Sequence, residues 1–246
     1  CTTGIVLEEA AGNNGPFIIK NWDYRVGIID HIVILHITEP DGTKIVGVTE
    51  AGQLIRSGMN SHGIGLVANN LQSIYDSYGS GIPTCFVRRR ILQCKSFTEA
   101  HNLIISHPRK VSSNVMVFSS GENIGRDFEI YPEGVDIIAP EQGILTHANH
   151  FVVQPHIHAL DTSPRDKRLY DMLSLRHGQI NVNHIKTCMA DHENYPKALC
   201  RHPSDTTVRL GRRSSTVASE IYDFGRKTAH ICIGPPCENE YHVYEL

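Results

Sequence analysis

The sequence predicts an α+β fold in which blocks of β-strands alternate with pairs of helices. Strand-like apolar patterns fill residues 2–70 and return at 113–149 and 215–244. Two stretches with apolar spacing near the helical period, 83–106 and 164–190, separate these blocks. Such alternation is typical of stacked layers of sheet and helix. No repeat or low-complexity linker divides the 246 residues, so we expect a single domain, 1–246.

The first element is a predicted hairpin. Residues 2–8 and 16–24 are rich in branched and aromatic side chains, and the polar turn at 13–15 contains two asparagines and a glycine. Antiparallel pairing across this turn would bring Asp23 back beside Cys1. The hairpin therefore juxtaposes a carboxylate and the first residue.

The other elements follow from the same patterns, with Ser96 as the predicted N-cap of one helix and Pro164 opening another. A Gly63, Gly65 and Ala68 pattern matches a dinucleotide-binding loop, but it lies inside a predicted strand rather than opening a helix, so we expect no cofactor. The remaining strands are predicted at 31–38, 44–49, 62–70, 113–119, 127–132, 135–139, 144–149, 215–223, 228–233 and 240–244, and the helices at 83–93, 97–106, 164–176 and 181–190.

Charge and composition exclude several classes of protein. Lys and Arg number 23 against 26 Asp and Glu, for a net charge of -3, which argues against a nucleic-acid partner. The arginines at 88–90 point in different directions from one predicted helix, so we expect a solvated or salt-bridged surface there. The sequence contains no run of about 18 apolar residues, so it predicts no membrane span. The seven cysteines form no CxxC pair, which favours reduced thiols and a cytoplasmic location.

Two groups of possible metal ligands stand out, and we interpret neither as a metal site. Four histidines lie between residues 147 and 158, but no cysteine is nearby in the sequence and no HExxH motif occurs. Cys232 and Cys237 flank a Gly-Pro-Pro turn at a spacing unlike that of a zinc knuckle. We expect them to be two buried thiols beside a turn.

Cys1 is the strongest candidate for a nucleophile. An N-terminal cysteine combines a thiol with an α-amino group whose unperturbed pKa of about 7.7–8.0 suits a general base. Such a site also needs a carboxylate or amide that orients the amine, an oxyanion donor and a cation. Self-cleavage that releases Cys1 is one explanation of its position, and removal of a preceding Met or trimming of the chain is the other.

Short motifs occur in a shared order along nearly the whole chain. They are Cys1-Thr2-Thr3, Asn21-Trp22-Asp23, Thr49-Glu50-Ala51-Gly52, Asn60-Ser61 with Gly63, Asn149-His150, Asn194-Tyr195-Pro196 with Cys200-Arg201, and Arg213 nine residues before Tyr222-Asp223. In these motifs the chain resembles the β subunit of the isopenicillin N acyltransferase family, the acyl-coenzyme A:6-aminopenicillanic acid acyltransferases. The resemblance implies a four-layered αββα sandwich of the N-terminal nucleophile hydrolases, with antiparallel sheets. It also implies a precursor that cuts itself before Cys1, and an α chain that stays bound as a heterodimer partner.

The resemblance assigns a role to each matching residue. Cys1 matches the nucleophile with its amine as base, Asp23 the carboxylate near the terminus, Asn149 the oxyanion donor and Arg213 a site arginine. Distant bile-salt hydrolases have a substrate-binding asparagine where Asn69 or Asn70 falls. Each position also has an ordinary structural explanation, for example a turn carboxylate at Asp23 or a loop-forming asparagine at Asn69.

The sequence thus predicts an amide hydrolase or acyltransferase acting on a small N-acylated amine or an acyl thioester through an acyl-cysteine. A bile-salt-hydrolase-like amidase is the alternative enzyme. A non-catalytic binding protein on the same scaffold is the alternative from another class. The chain lacks a C-terminal peroxisomal tripeptide and has a short region after Cys200, so the penicillin role is not carried over with the resemblance.

Overall fold

The computed structural model describes residues 1–159, 162–203, 208–209 and 212–246, and within it the side chains of 208, 209 and 212 are not described. Two antiparallel sheets dominate these residues, each with seven strands. The strands are β1 Thr2–Val6, β2 Phe17–Arg25, β3 Ile32–Thr38, β4 Lys44–Glu50, β5 Ser57–Asn60, β6 Ile64–Asn69, β7 Ser113–Ser119, β8 Ile124–Tyr131, β9 Gly134–Ile138, β10 Ile144–His147, β11 Val208–Arg209, β12 Arg212–Asp223, β13 Thr228–Ile233 and β14 Tyr241–Glu245.

The two sheets differ in how they are connected. The first sheet has the order β10-β1-β2-β12-β13-β14, with β11 paired to β12, so its centre combines both ends of the chain. The second sheet is a meander in sequence order from β3 to β9. The helices are α1 Glu8–Ala11, α2 Thr84–Ile91, α3 Phe97–Ser106, α4 Arg165–Ser174 and α5 Val182–Met189. Short 3₁₀ turns lie at Gly12–Asn14, Val26–His31 and Pro155–Ile157.

Three apolar layers give this arrangement its order of helix, sheet, sheet and helix. The layer between the sheets includes Ile18, Met116 and Phe118. A second layer joins the meander to α2 and α3, and a third joins the first sheet to α1, α4 and α5. On β2 the alternation is visible directly, since Ile18 faces the other sheet while Phe17 and Ile19 face the helices. The predicted α+β class and the αββα sandwich are confirmed.

Most predicted elements are confirmed within a few residues. The first hairpin forms with Thr2 opposite Asn21, although two short helical turns at 8–14 replace the simple turn predicted at 13–15. Ser96 caps α3 as predicted, accepting a hydrogen bond from the Glu99 backbone. Arg89 pairs with Glu39, in agreement with a salt-bridged helix surface. The described residues contain no helix that is both long and apolar enough to cross a membrane.

Strand β5 was missed because its sequence, Ser-Gly-Met-Asn, lacks the branched residues by which strands are recognised. Gly58 fits there because a Cβ on it would lie only 2.6 Å from the Val46 carbonyl oxygen on β4. The close approach of the two backbones, rather than side-chain propensity, therefore selects this residue.

Candidate active site

The register of the first sheet brings Cys1 next to both Asp23 and Asn149. Thr3 lies opposite His147 on β10, so continuing this antiparallel register places Cys1 beside Asn149. Thr2 lies opposite Asn21 on β2, which carries Asp23 to the same end of the sheet. Hydrogen-bonded pairing of three strands thus positions three of the residues predicted for the site.

The amino group of Cys1 contacts both side chains. Its nitrogen lies 2.9 Å from Asp23 Oδ2 and 2.9 Å from Asn149 Oδ1. Thr216 on β12 donates its hydroxyl to the other carboxylate oxygen, Oδ1, at 2.8 Å. The Cys1 thiol is directed at the Asp23 backbone carbonyl, 3.9 Å away. These contacts fix the amine while leaving the sulfur without a short hydrogen bond.

Arg165, which the sequence analysis did not single out, completes the group of side chains around Cys1. It is the first residue of α4 and is only 5% exposed. Its guanidinium donates to Thr2 Oγ1 at 3.0 Å, to the Cys1 carbonyl at 3.1 Å and to Asn149 Oδ1 at 2.6 Å. The Nε atom also lies 3.9 Å from Asp23 Oδ2. A buried arginine paired with a carboxylate and bonded to three acceptors is a positioning element as well as a positive charge.

Burial and charge together set the protonation of the site. Burial lowers the pKa of the Cys1 amine from 8.0 to about 5, since the opposing effect of Asp23 is smaller and Arg165 adds to the lowering. Burial acts to raise the pKa of Asp23, but the terminal amine, Arg165 and Arg201 outweigh it and hold that pKa below its usual range. Near neutral pH the carboxylate is therefore ionised and the amine is neutral.

A neutral primary amine carries two N–H donors and one lone pair. Asn149 Oδ1 accepts a hydrogen bond from this nitrogen, and Asp23 Oδ2 lies 2.9 Å from it on another side. The lone pair remains as a proton acceptor a short distance from the thiol of the same residue. The arrangement thus has the chemistry of a nucleophile joined to its own base.

The three predicted asparagines have different surroundings. Asn149 uses its oxygen for Cys1 and Arg165, and its Nδ2 donates to the Asn70 carbonyl at 2.9 Å. Asn70 is exposed and meets the site through its backbone. Asn69 is buried, and its amide donates to Thr3 Oγ1 and to Asn114 Oδ1. Asn70 therefore borders the site, whereas Asn69 lies between the two sheets, where it bonds a polar side chain from each.

Arg213 lies along the same strand as Thr216 but farther out. It is exposed and lines a cavity of about 540 Å³ that begins one residue after Asp23. Apolar, aromatic and charged side chains of both signs line this cavity: Tyr24, Arg25, Val26, Gly27, Ile28, Glu50 and Arg213. The structure therefore groups Arg213 with the cavity and gives the position against Cys1 to Arg165.

Carboxylates hold His147, which lies two residues before Asn149. His147 is fully buried, with Nε2 2.7 Å from Glu129 Oε1 and Nδ1 2.9 Å from the Ala148 carbonyl. Both partners are acceptors, so both ring nitrogens carry hydrogen. Burial opposes this charge, but Asp127 and Glu129 outweigh it and raise the pKa of His147 to about 9. Glu129 also accepts from the Val152 and Val153 backbones, which fixes the loop that carries Asn149.

Comparison of the sequence with protein families gives a match over most of the chain. The model of the acyl-coenzyme A:6-aminopenicillanic acid acyl-transferases matches residues 10–238. The 40 kDa form of the acyl-coenzyme A:6-aminopenicillanic-acid-acyltransferase of Emericella nidulans is 27% identical over 235 residues. That alignment covers 91% of this chain and 62% of the relative, so the chain spans less than two thirds of that relative's length.

Solved structures of similar fold come from three groups of enzymes. A variant of the conjugated bile acid hydrolase from Clostridium perfringens aligns with a TM-score of 0.67 at 11% identity, covering 100% of this chain and 97% of the other. Penicillin V acylase from Agrobacterium tumefaciens gives 0.64 at 14%, covering 95% and 83%. A Caenorhabditis elegans ortholog of N-acylethanolamine-hydrolyzing acid amidase gives 0.60 at 14%, covering 92% and 93%. These likenesses establish a common fold.

The His147 ion pair predicts a specific dependence of stability on pH. Its pKa in the folded chain, about 9, lies above the value of 6.5 for an unperturbed histidine. The stabilisation is therefore complete below pH 6.5 and is lost as the pH rises through 9. We expect His147→Gln to lower the free energy of unfolding by a few kcal/mol near pH 6 and by much less near pH 9.5. Denaturant unfolding across this pH range measures the difference.

The exposed His156 in the following loop provides the matched control. His156→Gln should leave the free energy of unfolding and its pH dependence as in the unsubstituted chain. If His147→Gln costs the same free energy at every pH, then His147 packs as a neutral ring and the charge assignment is wrong.

Proposed function

Because the chain belongs to the acyl-coenzyme A:6-aminopenicillanic acid acyltransferase family, we propose that it cleaves or transfers the acyl group of a small N-acylated amine through an acyl-cysteine at Cys1. The observation that carries this proposal is the contact of the Cys1 amine with Asp23 and Asn149, both at 2.9 Å. Those two contacts use the donors of the neutral amine and leave its lone pair for the thiol proton.

The proposed reaction begins with transfer of the thiol proton to the Cys1 amine. The thiolate attacks the carbonyl carbon of an amide or thioester, and the carbonyl oxygen takes the negative charge. The protonated amine then gives its proton to the departing amine or thiol, which leaves the acyl group on sulfur. Water or a second amine attacks this thioester by the same steps in reverse order.

Asn149 fits the role of oxyanion donor as well as that of amine ligand. Its Nδ2 has two N–H groups, and the described residues provide an acceptor for one of them, the Asn70 carbonyl. The second N–H is therefore available to the substrate oxygen. The Arg165 contact at 2.6 Å holds the amide of Asn149 in this orientation and adds positive charge beside the developing anion.

We propose the 540 Å³ cavity as the acyl or amine subsite. Its Val26 and Ile28 side chains offer apolar contact, while Arg25, Arg213 and Glu50 offer charges of both signs. A lining of this mixed kind suits an acyl group joined to a polar or charged amine. Arg213 keeps the role of a substrate-binding arginine in this proposal.

The two alternatives predicted from the sequence, a bile-salt-hydrolase-like amidase and a non-catalytic binding protein, have less support. The bile-salt-hydrolase-like amidase shares the fold, and its neighbour here is 11% identical, against 27% for the acyltransferase relative. A non-catalytic binding protein would not need a buried terminal amine that contacts both Asp23 and Asn149. The cytoplasm remains the compartment that the cysteine composition predicts.

Self-cleavage before Cys1 and retention of the released α chain belong to the same proposal. In an uncut precursor the Cys1 nitrogen is a peptide nitrogen with a single hydrogen, which cannot donate to both Asp23 and Asn149. When the Cys1 thiol attacks the preceding carbonyl, a C–S bond forms, the peptide C–N bond breaks, and the Cys1 amine is freed with the thiol proton. Water then hydrolyses this thioester, which releases the Cys1 thiol and the new carboxyl end. The two-contact site thus forms only after cleavage.

The full precursor with Cys1→Ala should remain a single uncut polypeptide, because the attacking sulfur is gone. Cys1→Ser, which keeps a weaker nucleophile, should cleave slowly. Gel electrophoresis and intact mass of protein made in a protease-deficient host measure this, with Cys85→Ser as a control that should cleave at the normal rate. Normal cleavage of the Cys1→Ala precursor would assign the cut to another protease.

The base role of the amine predicts an acid limb in the pH profile of kcat/KM. The amine must be neutral, so activity should rise with pH through about 5, the pKa of the Cys1 amine. Asp23 raises that pKa, so Asp23→Asn should lower the rate and move the limb to lower pH. Initial rates on a panel of acyl anilides, measured from about pH 4 to 9, test this.

Asp171→Asn removes an exposed carboxylate from α4 and should leave the profile unchanged. If Asp23→Asn leaves the acid limb in place, the limb belongs to another group and the amine is not the base.

Two substitutions of Asn149 separate its two proposed roles. Asn149→Ala removes oxygen and N–H together and should lower kcat about 10²–10³-fold with a smaller change in KM. Asn149→Asp keeps an oxygen for Cys1 and Arg165 but has no N–H for the oxyanion, so it should lose about as much. Steady-state kinetics of processed protein provide both values. Near-normal kcat in Asn149→Asp would restrict Asn149 to orienting the amine.

A further inference from the structure

Four side chains from two separate parts of the chain converge beside the turn between β13 and β14. They are His192, Cys200, His202 and Cys237, and one nitrogen or sulfur of each lies within 4.8 Å of those of the other three. Two cysteines and two histidines form a donor set that proteins use for structural zinc. We propose that this cluster, called here the Cys2His2 site, binds one Zn²⁺ ion.

Four of the six separations between the donor atoms come within about 0.5 Å of tetrahedral coordination, and the other two are no longer than 4.8 Å. Bonds of about 2.3 Å to sulfur and 2.0–2.1 Å to nitrogen place donors about 3.8 Å apart for two sulfurs, 3.3 Å for two nitrogens and 3.6 Å for a mixed pair. Cys200 Sγ and Cys237 Sγ are 3.5 Å apart, and His192 Nε2 and His202 Nε2 are 3.0 Å apart. His202 Nε2 lies 3.1 Å from Cys237 Sγ and 3.8 Å from Cys200 Sγ.

Hydrogen bonding alone does not account for this packing. The Nε2 atom of His202 has three close partners, His192 Nε2, Cys200 Sγ and Cys237 Sγ. A ring nitrogen offers either one N–H or one lone pair, in the plane of the ring, so it satisfies one such partner. A cation at the centre instead accepts a lone pair from all four atoms at once.

The other nitrogen of His202 has the partner that zinc-bound histidines commonly have. His202 Nδ1 lies 3.4 Å from Glu238 Oε1. A carboxylate at this position keeps the proton on Nδ1, which directs the Nε2 lone pair at the cluster and makes it a better ligand. Glu238 follows Cys237 directly, so one short turn supplies a ligand and the carboxylate that orients another.

Charge and proton balance also favour a divalent ion. Binding displaces the two thiol protons to solvent, and two S–Zn bonds replace two S–H bonds. Two thiolates, two neutral imidazoles and Zn²⁺ sum to no net charge, which suits a site whose Cys200 is fully buried. His192 and Cys237 are exposed, which gives the ion a path of entry.

The ion would join two segments that no disulfide connects. Cys237 lies in the turn between β13 and β14, where Gly234 has a φ of +91° and Asn239 donates to the Pro235 carbonyl. Cys200 and His202 belong to the segment after α5. Between them, Arg201 exchanges backbone and hydroxyl hydrogen bonds with Thr216, the residue that donates to Asp23. Cys200 of the Cys2His2 site is therefore adjacent in the sequence to Arg201, whose partner Thr216 holds Asp23 in the Cys1 site.

The sequence pattern predicts no metal site, and it predicts that Cys232 and Cys237 are two buried thiols beside a turn. The structure corrects the second expectation, since Cys232 is buried while Cys237 is exposed and meets Cys200 instead. The ligand spacing, with seven residues between His192 and Cys200 and 34 between His202 and Cys237, matches no common zinc motif. The Cys-x-His pair at 200–202 is the one local signal.

The test measures metal content of the tag-free chain, made with zinc in the medium and passed through gel filtration. Elemental analysis by mass spectrometry should give about one zinc per chain, and this content should fall to near zero in Cys237→Ser and His192→Gln. Cys85→Ser and His156→Gln, which change residues outside the cluster, should keep the full zinc content. Glu238→Gln should keep the ion with an affinity about 10–100-fold lower.

Two further measurements use the unsubstituted chain, so they test the site even where the variants fold poorly. The unsubstituted chain, stripped of metal and titrated with Co²⁺, should develop the strong visible absorption of tetrahedral cobalt with thiolate ligands. Chelation should lower its melting temperature, and added Zn²⁺ should restore it. Absence of zinc, equal zinc in Cys237→Ser, or a Cys200–Cys237 disulfide in the mass of the unreduced, as-purified chain would each overturn the proposal.

Discussion

The arrangement of the site depends on burying the Cys1 amino group against an ionised carboxylate without protonating it. Burial lowers the pKa of this amine to about 5, although Asp23, 2.9 Å away, acts in the opposite direction. Burial is the larger effect, and Arg165 adds to it, because its charge further lowers the amine pKa and helps to hold the pKa of Asp23 below its usual range. The charge of the arginine therefore favours the neutral amine, which keeps its lone pair. The three groups therefore act as one unit, and this is why we assign Arg165 as much weight as the residues predicted from the sequence.

Strand register brings the Cys1 amine and Asp23 together at one end of the first sheet. The first sheet places β1, β2, β10 and β12 side by side, although β10 and β12 lie far from the first two strands in the sequence. Cys1, Asp23 and Asn149 come from the ends of the first three, and Thr216 comes from β12 beside a bulge. Behind them, the buried His147 and Glu129 tie the loop after β10 to the second sheet. A shift of one residue in any of these pairings would turn the side chain to the opposite face.

Local patterns were enough to predict the hairpin that joins Cys1 and Asp23, because alternation and turn residues are read within about 24 residues. Asn149 followed from the family resemblance, since nothing local distinguishes it from a turn asparagine. Arg165 had no signal at all: it begins a helix, and its three acceptors belong to residues distant in sequence. Asn69 and Asn70 were adjacent candidates, and strand parity separated them, turning Asn69 to Thr3 and Asn114. The Cys2His2 ligands were missed for the same reason as Arg165, because packing between segments that are distant in the sequence, rather than spacing, brings Cys237 to the other three.

The proposed passage of an acyl group through the sulfur of Cys1 is tested by trapping the acyl-enzyme. The chain is mixed with an excess of an acyl-coenzyme A thioester or an activated acyl anilide, quenched in acid within the first turnover, and mapped by peptide mass spectrometry. We expect one acyl group per chain on the Cys1 peptide, bound as a thioester that hydroxylamine removes, with Cys85 and Cys237 unmodified. Turnover with no adduct on Cys1, or with the acyl group on another residue, would contradict it.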